Sequence, residues 1–244
     1  MKLKNVMFLM LVPVFMLTVV SFQGMLWKEI TKEELKTGVK KIDQKMKDLT
    51  NYEVRITHYS YEDRTSEVIH DKSKGYYKRD QKKYHSMMLG VETIQNENIR
   101  LEIDSVKKLI LVANPDASLQ RQPSTELKDS MITKSIAVKK MELPKELSYE
   151  IDFAENFPVA YCRISTWESG YLKDVILAYT RKVKSVQNKE VQPKVKISFS
   201  DWKANKIFSA EEFSESRYVK KAGKAYELTT AYKNYKLLDQ RYYK

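Results

Sequence analysis

Thr31-Lys-Glu-Glu-Leu-Lys-Thr-Gly-Val-Lys-Lys-Ile-Asp-Gln-Lys-Met-Lys-Asp-Leu49, followed at once by Tyr52-Glu-Val-Arg-Ile56, is the stretch that decides the fold. Its apolar residues Leu35, Val39, Ile42, Met46 and Leu49 alternate steps of four and three, which draws one stripe along an amphipathic helix. Thr31 followed three residues later by Glu34 is a capping-box pattern and marks the start; Asn51 marks the stop. Gly38 should cost about 1 kcal/mol relative to Ala in a helix interior, a deficit that packing of the stripe must offset. From Tyr52 the period falls to two, with Tyr52, Val54 and Ile56 alternating with Glu53, Arg55 and Thr57. One amphipathic helix laid on a long series of strands predicts a container.

Outward from there the chain reads mostly as strand. Short turns at Ser60 to Ser66, Arg79 to Lys82, Asn96 to Asn98 and Asp104-Ser105 separate extended runs, and Gly90 reads as a bulge or a point of close approach. Ile99, Leu101 and Ile103 alternate cleanly, while Lys108-Leu-Ile-Leu-Val112 is nearly continuously apolar and predicts a strand covered on both sides. This first half is an antiparallel meander of five or six strands that needs no helical crossover. Asn114-Pro115-Asp116 breaks it, and Ala117 to Lys128 reads as a loop or short helix. The spacing of Ile136 and Val138 fits a helix or a strand equally. Leu147 to Phe153 is a strand, and Phe157 to Trp167 and Leu172 to Val183 flank Ser169-Gly170 as a hairpin. Val195, Ile197 and Phe199 add another strand. A Tyr-rich extension begins at about Gly223 and carries Tyr226, Tyr232, Tyr235, Tyr242 and Tyr243.

Residues 1–24 stand apart. Lys2 and Lys4 precede an almost wholly apolar run from Val6 to Val20, and polar residues return at Ser21 and Gln23. This is the pattern of an export signal, either cleaved near Ser21 or retained as a membrane anchor. Residues 25–244 then form a single domain. The lone Cys162 excludes an internal disulfide and reads as a buried structural thiol, and export without bridges suits a bacterial periplasm or envelope. The formal charge is +12, or +10 with 42 basic against 32 acidic residues once Lys2 and Lys4 are set aside. Export argues against nucleic acid as the partner, and the paired lysines read as a solvated face or as attraction to anionic lipid or an acidic protein.

No catalytic signature is present. His58, His70 and His85 lack the spacing of a metal motif and read as strand-surface residues. Neither Cys162 nor any Ser has a neighbouring base, and phosphate loops, zinc pairs and calcium loops are all missing, so no cofactor or metal is expected. What remains is apolar surface: Leu35, Val39, Ile42 and Met46 on the helix, with Met87 and Leu89 beside Gly90, are the candidate lining of a ligand cavity. Lys40, Lys220 and Lys221 are the candidate basic rim.

Tyr52-Glu-Val-Arg-Ile56, Gly75-Tyr-Tyr77, Ile99-Arg-Leu-Glu-Ile-Asp104 and Lys108-Leu-Ile-Leu-Val112, set between an export signal with its amphipathic helix and a final group of strands, resemble the periplasmic lipoprotein carrier proteins of the LolA and LolB type. The likeness is one of pattern over about half the chain, and no motif carries a binding residue across. It implies a mainly β fold, an unclosed, curved half-barrel with the helix on its concave face, and an apolar cavity for acyl chains. Without a lipid-attachment Cys the chain looks more like the soluble carrier than the anchored receptor. The alternative function is an interaction component of an envelope complex, with the helix fully packed and the basic surface or Tyr-rich tail docking a protein.

Overall fold

The computed structural model describes residues 27–116, 125, 127–184 and 188–241. The leader lies outside these, as do most of the Ala117 to Lys128 connector, Tyr242 and Tyr243. Helix α1 spans Lys32–Lys47, with Thr31 as its N-cap. The Glu34 amide donates to the Thr31 hydroxyl (3.2 Å) and the Thr31 amide donates to the Glu34 carboxylate (2.8 Å), so both halves of the capping box form. Glu33 and Glu34 sit in the first turn and Lys45 and Lys47 in the last, each matched to the helix dipole.

The strands are β1 (Lys28–Glu29), β2 (Asn51–Tyr61), β3 (Ile69–Asp80), β4 (Lys83–Met88), β5 (Val91–Gln95), β6 (Arg100–Asp104) and β7 (Leu109–Ala113). After the short helix α2 (Asp129–Thr133) come β8 (Ser135–Leu143), β9 (Glu146–Phe153), β10 (Val159–Trp167), β11 (Leu172–Tyr179), the small pair β12 (Val183–Lys184) and β13 (Glu190–Val191), and β14 (Lys194–Ala204). A second hairpin, β15 (Val219–Ala222) and β16 (Ala225–Leu228), precedes β17 (Lys236–Asp239). Thirteen of these strands form one curved sheet in the order β1-β8-β9-β10-β11-β14-β2-β3-β4-β5-β6-β7-β17, and its two ends do not pair with each other. It is an unclosed, mainly β fold.

The meander β2 to β7 follows the sequence expectation, and the ambiguous Ile136 and Val138 fall on a strand. Two connections are long-range. Strand β14 inserts antiparallel between β11 and β2, joining the two halves. Strand β17 pairs parallel with β7, Leu237 opposite Ile110 and Leu238 opposite Leu111. Gly90 is a turn residue at φ +82° with open space around it; the point of close approach is Gly75, where a side chain would meet the Met87 carbonyl.

The sheet carries two cores, and they lie on opposite faces. On the first, Leu35, Val39, Ile42, Met46 and Leu49 pack on Tyr52, Val54 and Ile56 of β2 and on inward residues of β8 to β11 and β14. Following cross-strand partners from Val54 through Tyr77 and Ser86 to Thr93 and Glu102 keeps to this face. Ile94, Leu101, Ile103, Ile110 and Val112 therefore point the other way, where Tyr218, Val219, Tyr226, Leu228, Tyr232, Tyr235 and Leu237 cover them. The Tyr-rich segment covers its own sheet, and the run at β7 is apolar because Ile110 and Val112 are fully buried in this second core.

At Gly38, α1 lies close against Tyr149 of β9. A side chain there would run into the ring and hydroxyl of Tyr149, itself only 4% exposed. The glycine flagged as a flaw in the helix is the condition for its docking. Gly38→Ala should destabilise by about 1–3 kcal/mol through overpacking, against the roughly 1 kcal/mol gain that propensity alone gives. Urea unfolding reads the sign directly, and Tyr149→Leu in the same chain should turn the substitution favourable.

Candidate functional site

Among the sequence-predicted lining residues, Leu35, Val39, Ile42 and Met46 are brought together under α1, at 0–5% exposure. They meet an apolar floor that includes Ile151, Cys162, Ile164, Leu172, Val175 and Phe199. The floor carries an aromatic series, with ring centroids at 5.3 Å for Tyr171 and Trp202, 5.7 Å for Trp202 and Tyr52, 6.1 Å for Tyr52 and Tyr77, and 5.3 Å for Tyr77 and Tyr84. Cys162 belongs to this floor, where burial pushes its thiol up to about 12, so it stays protonated at neutral pH.

Met87 and Leu89 do not join them. Met87 pairs across from Tyr76 on the opposite face, and Leu89 sits in the β4–β5 turn at φ 50°, 60% exposed. Met88, the neighbour of Met87, is the one of the two that packs against the first core. A strand side chain changes face with every residue, so a one-residue error in register exchanges core for its reverse. Lys40, Lys220 and Lys221 do not share a rim either. Lys40 is exposed on α1, whereas Lys220 and Lys221 are exposed on β15 over the other face, with Lys220 paired to Glu227 at 3.2 Å.

Polar ties hold α1 at few points. Lys32 Nζ donates to the Thr133 carbonyl (2.9 Å), Lys36 pairs with Asp129 (2.9 Å), and the Thr125 amide donates to Asp43 (3.0 Å). The Thr125 hydroxyl adds a second bond to Asp43 (3.3 Å), and Lys45 lies over the Tyr171 ring at 5.4 Å.

Of the three histidines, His70 is exposed and His58 half-buried, but His85 is 7% exposed. Its Nε2 lies 2.8 Å from the Tyr76 hydroxyl and 2.8 Å from Glu92 Oε1. Sequence reasoning placed it on a strand surface; the second core covers that surface. Burial raises the Glu92 pKa, yet the bond with His85, the neighbouring Tyr218 hydroxyl and the nearby Arg217 outweigh it and hold the carboxyl below its usual range. Glu53, beside Lys206 and Lys203, and Glu146, bonded to Lys173 and Ser148, are depressed in the same way against their own burial. A carboxyl with a depressed folded-state pKa contributes stability that is present above its unfolded value, near 4.5, and is lost as pH falls through the folded value. The melting temperature should therefore hold from pH 7 to about 5 and fall steeply below about 4.5. Glu92→Gln should lower the plateau by about 1–3 kcal/mol and flatten the acid limb, as differential scanning calorimetry across pH would record.

Among the described residues no group of three or more His, Cys, Asp or Glu side chains could hold a metal ion, and no helix is long and apolar enough to cross a membrane. The arrangement offers an apolar core under a helix and, on the opposite face, three buried or half-buried carboxylates paired with His85, Lys206 and Lys173.

No family model matches the sequence, and no curated protein matches it. Solved structures similar to this chain include a DUF1329 family protein from Desulfovibrio piger, 11% identical, covering 74% of this chain and 97% of that one at a TM-score of 0.29. A domain from Vibrio parahaemolyticus described as outer membrane lipoprotein-sorting is 6% identical, with 76% and 98% covered and a TM-score of 0.28. A LolA superfamily protein from Nitrosomonas europaea is 7% identical, with 74% and 97% covered and a TM-score of 0.27. At these scores the similarity carries no function across.

Proposed function

We propose that this chain is a non-catalytic binding protein of the cell envelope, exported by its leader, that shelters a lipid or lipoprotein acyl chain between α1 and the sheet. The observation that carries the reading is the construction of the trough. A single amphipathic helix lays its apolar stripe on a sheet face that is apolar and aromatic, with Tyr52 and Tyr77 among the residues it shares a core with. Lifting α1 would open a surface suited to methylenes, each worth about 0.8 kcal/mol on burial. The candidate lining is Leu35, Val39, Ile42 and Met46, with Met88 on the sheet side.

One observation favours a second reading. The α1 stripe is already packed to 0–7% exposure, which is what an interaction component of an envelope complex would show, with no room kept for a ligand. Native mass spectrometry of the protein purified from the envelope, followed by denaturation and lipid analysis, separates the two. A stoichiometric acyl-bearing species released on unfolding supports the carrier. An empty protein that recovers with another envelope protein supports the assembly role.

A further inference from the structure

On the face of the sheet away from α1, β2, β9, β10, β11 and β14 form a cleft of about 500 Å³. Alternation fixes its chemistry: Cys162 and Ile164 of β10 face the first core, so Tyr161 and Arg163 face the cleft, and Lys196 of β14 projects there opposite Ile197. Arg64, Arg163, Lys194 and Lys196 line it with two carboxylates, Glu67 and Glu150, and Lys196 also pairs with Asp174 at 3.3 Å beside it. Its cations are unequally neutralised. Glu150 is committed, accepting from Arg163 at 2.9 Å and from the Tyr161 hydroxyl at 3.0 Å. Lys194 is only 9% exposed and lies 4.4 Å from the Tyr61 ring, yet the carboxylate it meets is Glu67, at 3.1 Å, whose side chain is 89% exposed.

A buried ammonium paired with a solvated, displaceable carboxylate is poised to exchange that partner for another anion. Arg163 adds a preorganised donor. Its guanidinium is held between Trp27 (5.2 Å) and Tyr161 (5.7 Å), and its buried Nε has no hydrogen-bond partner among the described residues. We propose that this cleft binds an oxyanion of the phosphate class, held by Lys194, Arg163, Lys196 and Arg64 with Glu67 displaced. The site is independent of the trough under α1 and stands whether or not that trough carries a lipid.

Isothermal titration of the purified protein with inorganic pyrophosphate tests it. One saturable, salt-sensitive site is expected, weakened about ten-fold or more by Arg64→Gln with Lys196→Gln, a double variant whose folding circular dichroism verifies. Glu67→Gln removes the competing carboxylate and should tighten binding several-fold, a sign that a merely structural role for these residues does not produce. Absence of saturable binding, or an affinity unchanged in the double variant, or Glu67→Gln weakening it, overturns the proposal. Competition by phosphatidylglycerol vesicles, with phosphatidylcholine as control, distinguishes the source. Displacement of pyrophosphate assigns the site to a lipid head group, and its retention assigns a soluble phosphate; both support the oxyanion site.

Discussion

A chain lacking residues 205–244 is expected to show no cooperative unfolding transition and to be recovered largely insoluble. That segment supplies β17, which pairs with β7, and the Tyr218, Val219 and Leu237 side chains that cover the second core. Without it Ile94, Leu101, Ile103, Ile110 and Val112, now at 0–3% exposure, would face water. Fully burying one such side chain is worth about 1.5–3 kcal/mol, so losing five exceeds much of the roughly 5–15 kcal/mol by which a domain of this kind is stable. The β7 edge would also be left as an apolar, unpaired strand, a template for aggregation. Ion pairs from the segment back to the sheet, Lys78 to Glu212 and Lys206 to Glu53, would go with it. Were the tail only a docking extension, the truncated chain would melt as the whole chain does. Lys220→Glu with Lys221→Glu is the matching control: both residues are exposed, so folding should persist.

Ile42→Asp should unfold the protein or bring it close to unfolding. Ile42 is 5% exposed at the centre of the α1 stripe, within the apolar first core. The substitution forfeits the transfer energy of the side chain, about 2–3 kcal/mol, and places a carboxyl where its ionised form is strongly disfavoured, adding several kcal/mol more. Urea unfolding should show a midpoint near zero denaturant or no folded baseline. Ile42→Val, costing about 0.5–1.5 kcal/mol, keeps the fold and carries the functional information. If acyl chains occupy the trough, lipid recovered with the valine variant should fall although its structure is intact. If α1 is permanently packed, recovery of a protein partner should be unchanged.

Much of this architecture was legible in local pattern. The four-three spacing from Leu35 to Leu49 and the Thr31–Glu34 pair located α1 to within two residues, because caps and stripes are set by neighbours in sequence. The alternation in β2, β6 and β9 gave strands for the same reason. Gly38 was misread because a propensity records what a helix loses by having glycine, while the benefit came from Tyr149, more than a hundred residues away. His85 looked exposed because its cover, Tyr218 and its neighbours, comes from the far end of the chain.

Of the candidate lining residues, the helical four share one buried face as their spacing predicts, and the strand pair does not join them. A helix stripe survives a one-residue uncertainty, since several positions share a face, whereas on a strand the same uncertainty turns Met88 into Met87. The oxyanion cleft left no sequence signal at all: Arg64, Arg163, Lys194 and Lys196 are spread across three segments and converge only through the pairing of β14 with β2 and β11. The sequence by itself determined the amphipathic helix, the run of short antiparallel strands, the basic charge and the lack of a nucleophile–base motif, all properties of spacing and residue type within a few positions. Tertiary structure alone decided which face of each strand is covered and by what, because the insertion of β14 and the parallel docking of β17 are choices among distant partners, set by the apolar area each buries and not by any local preference.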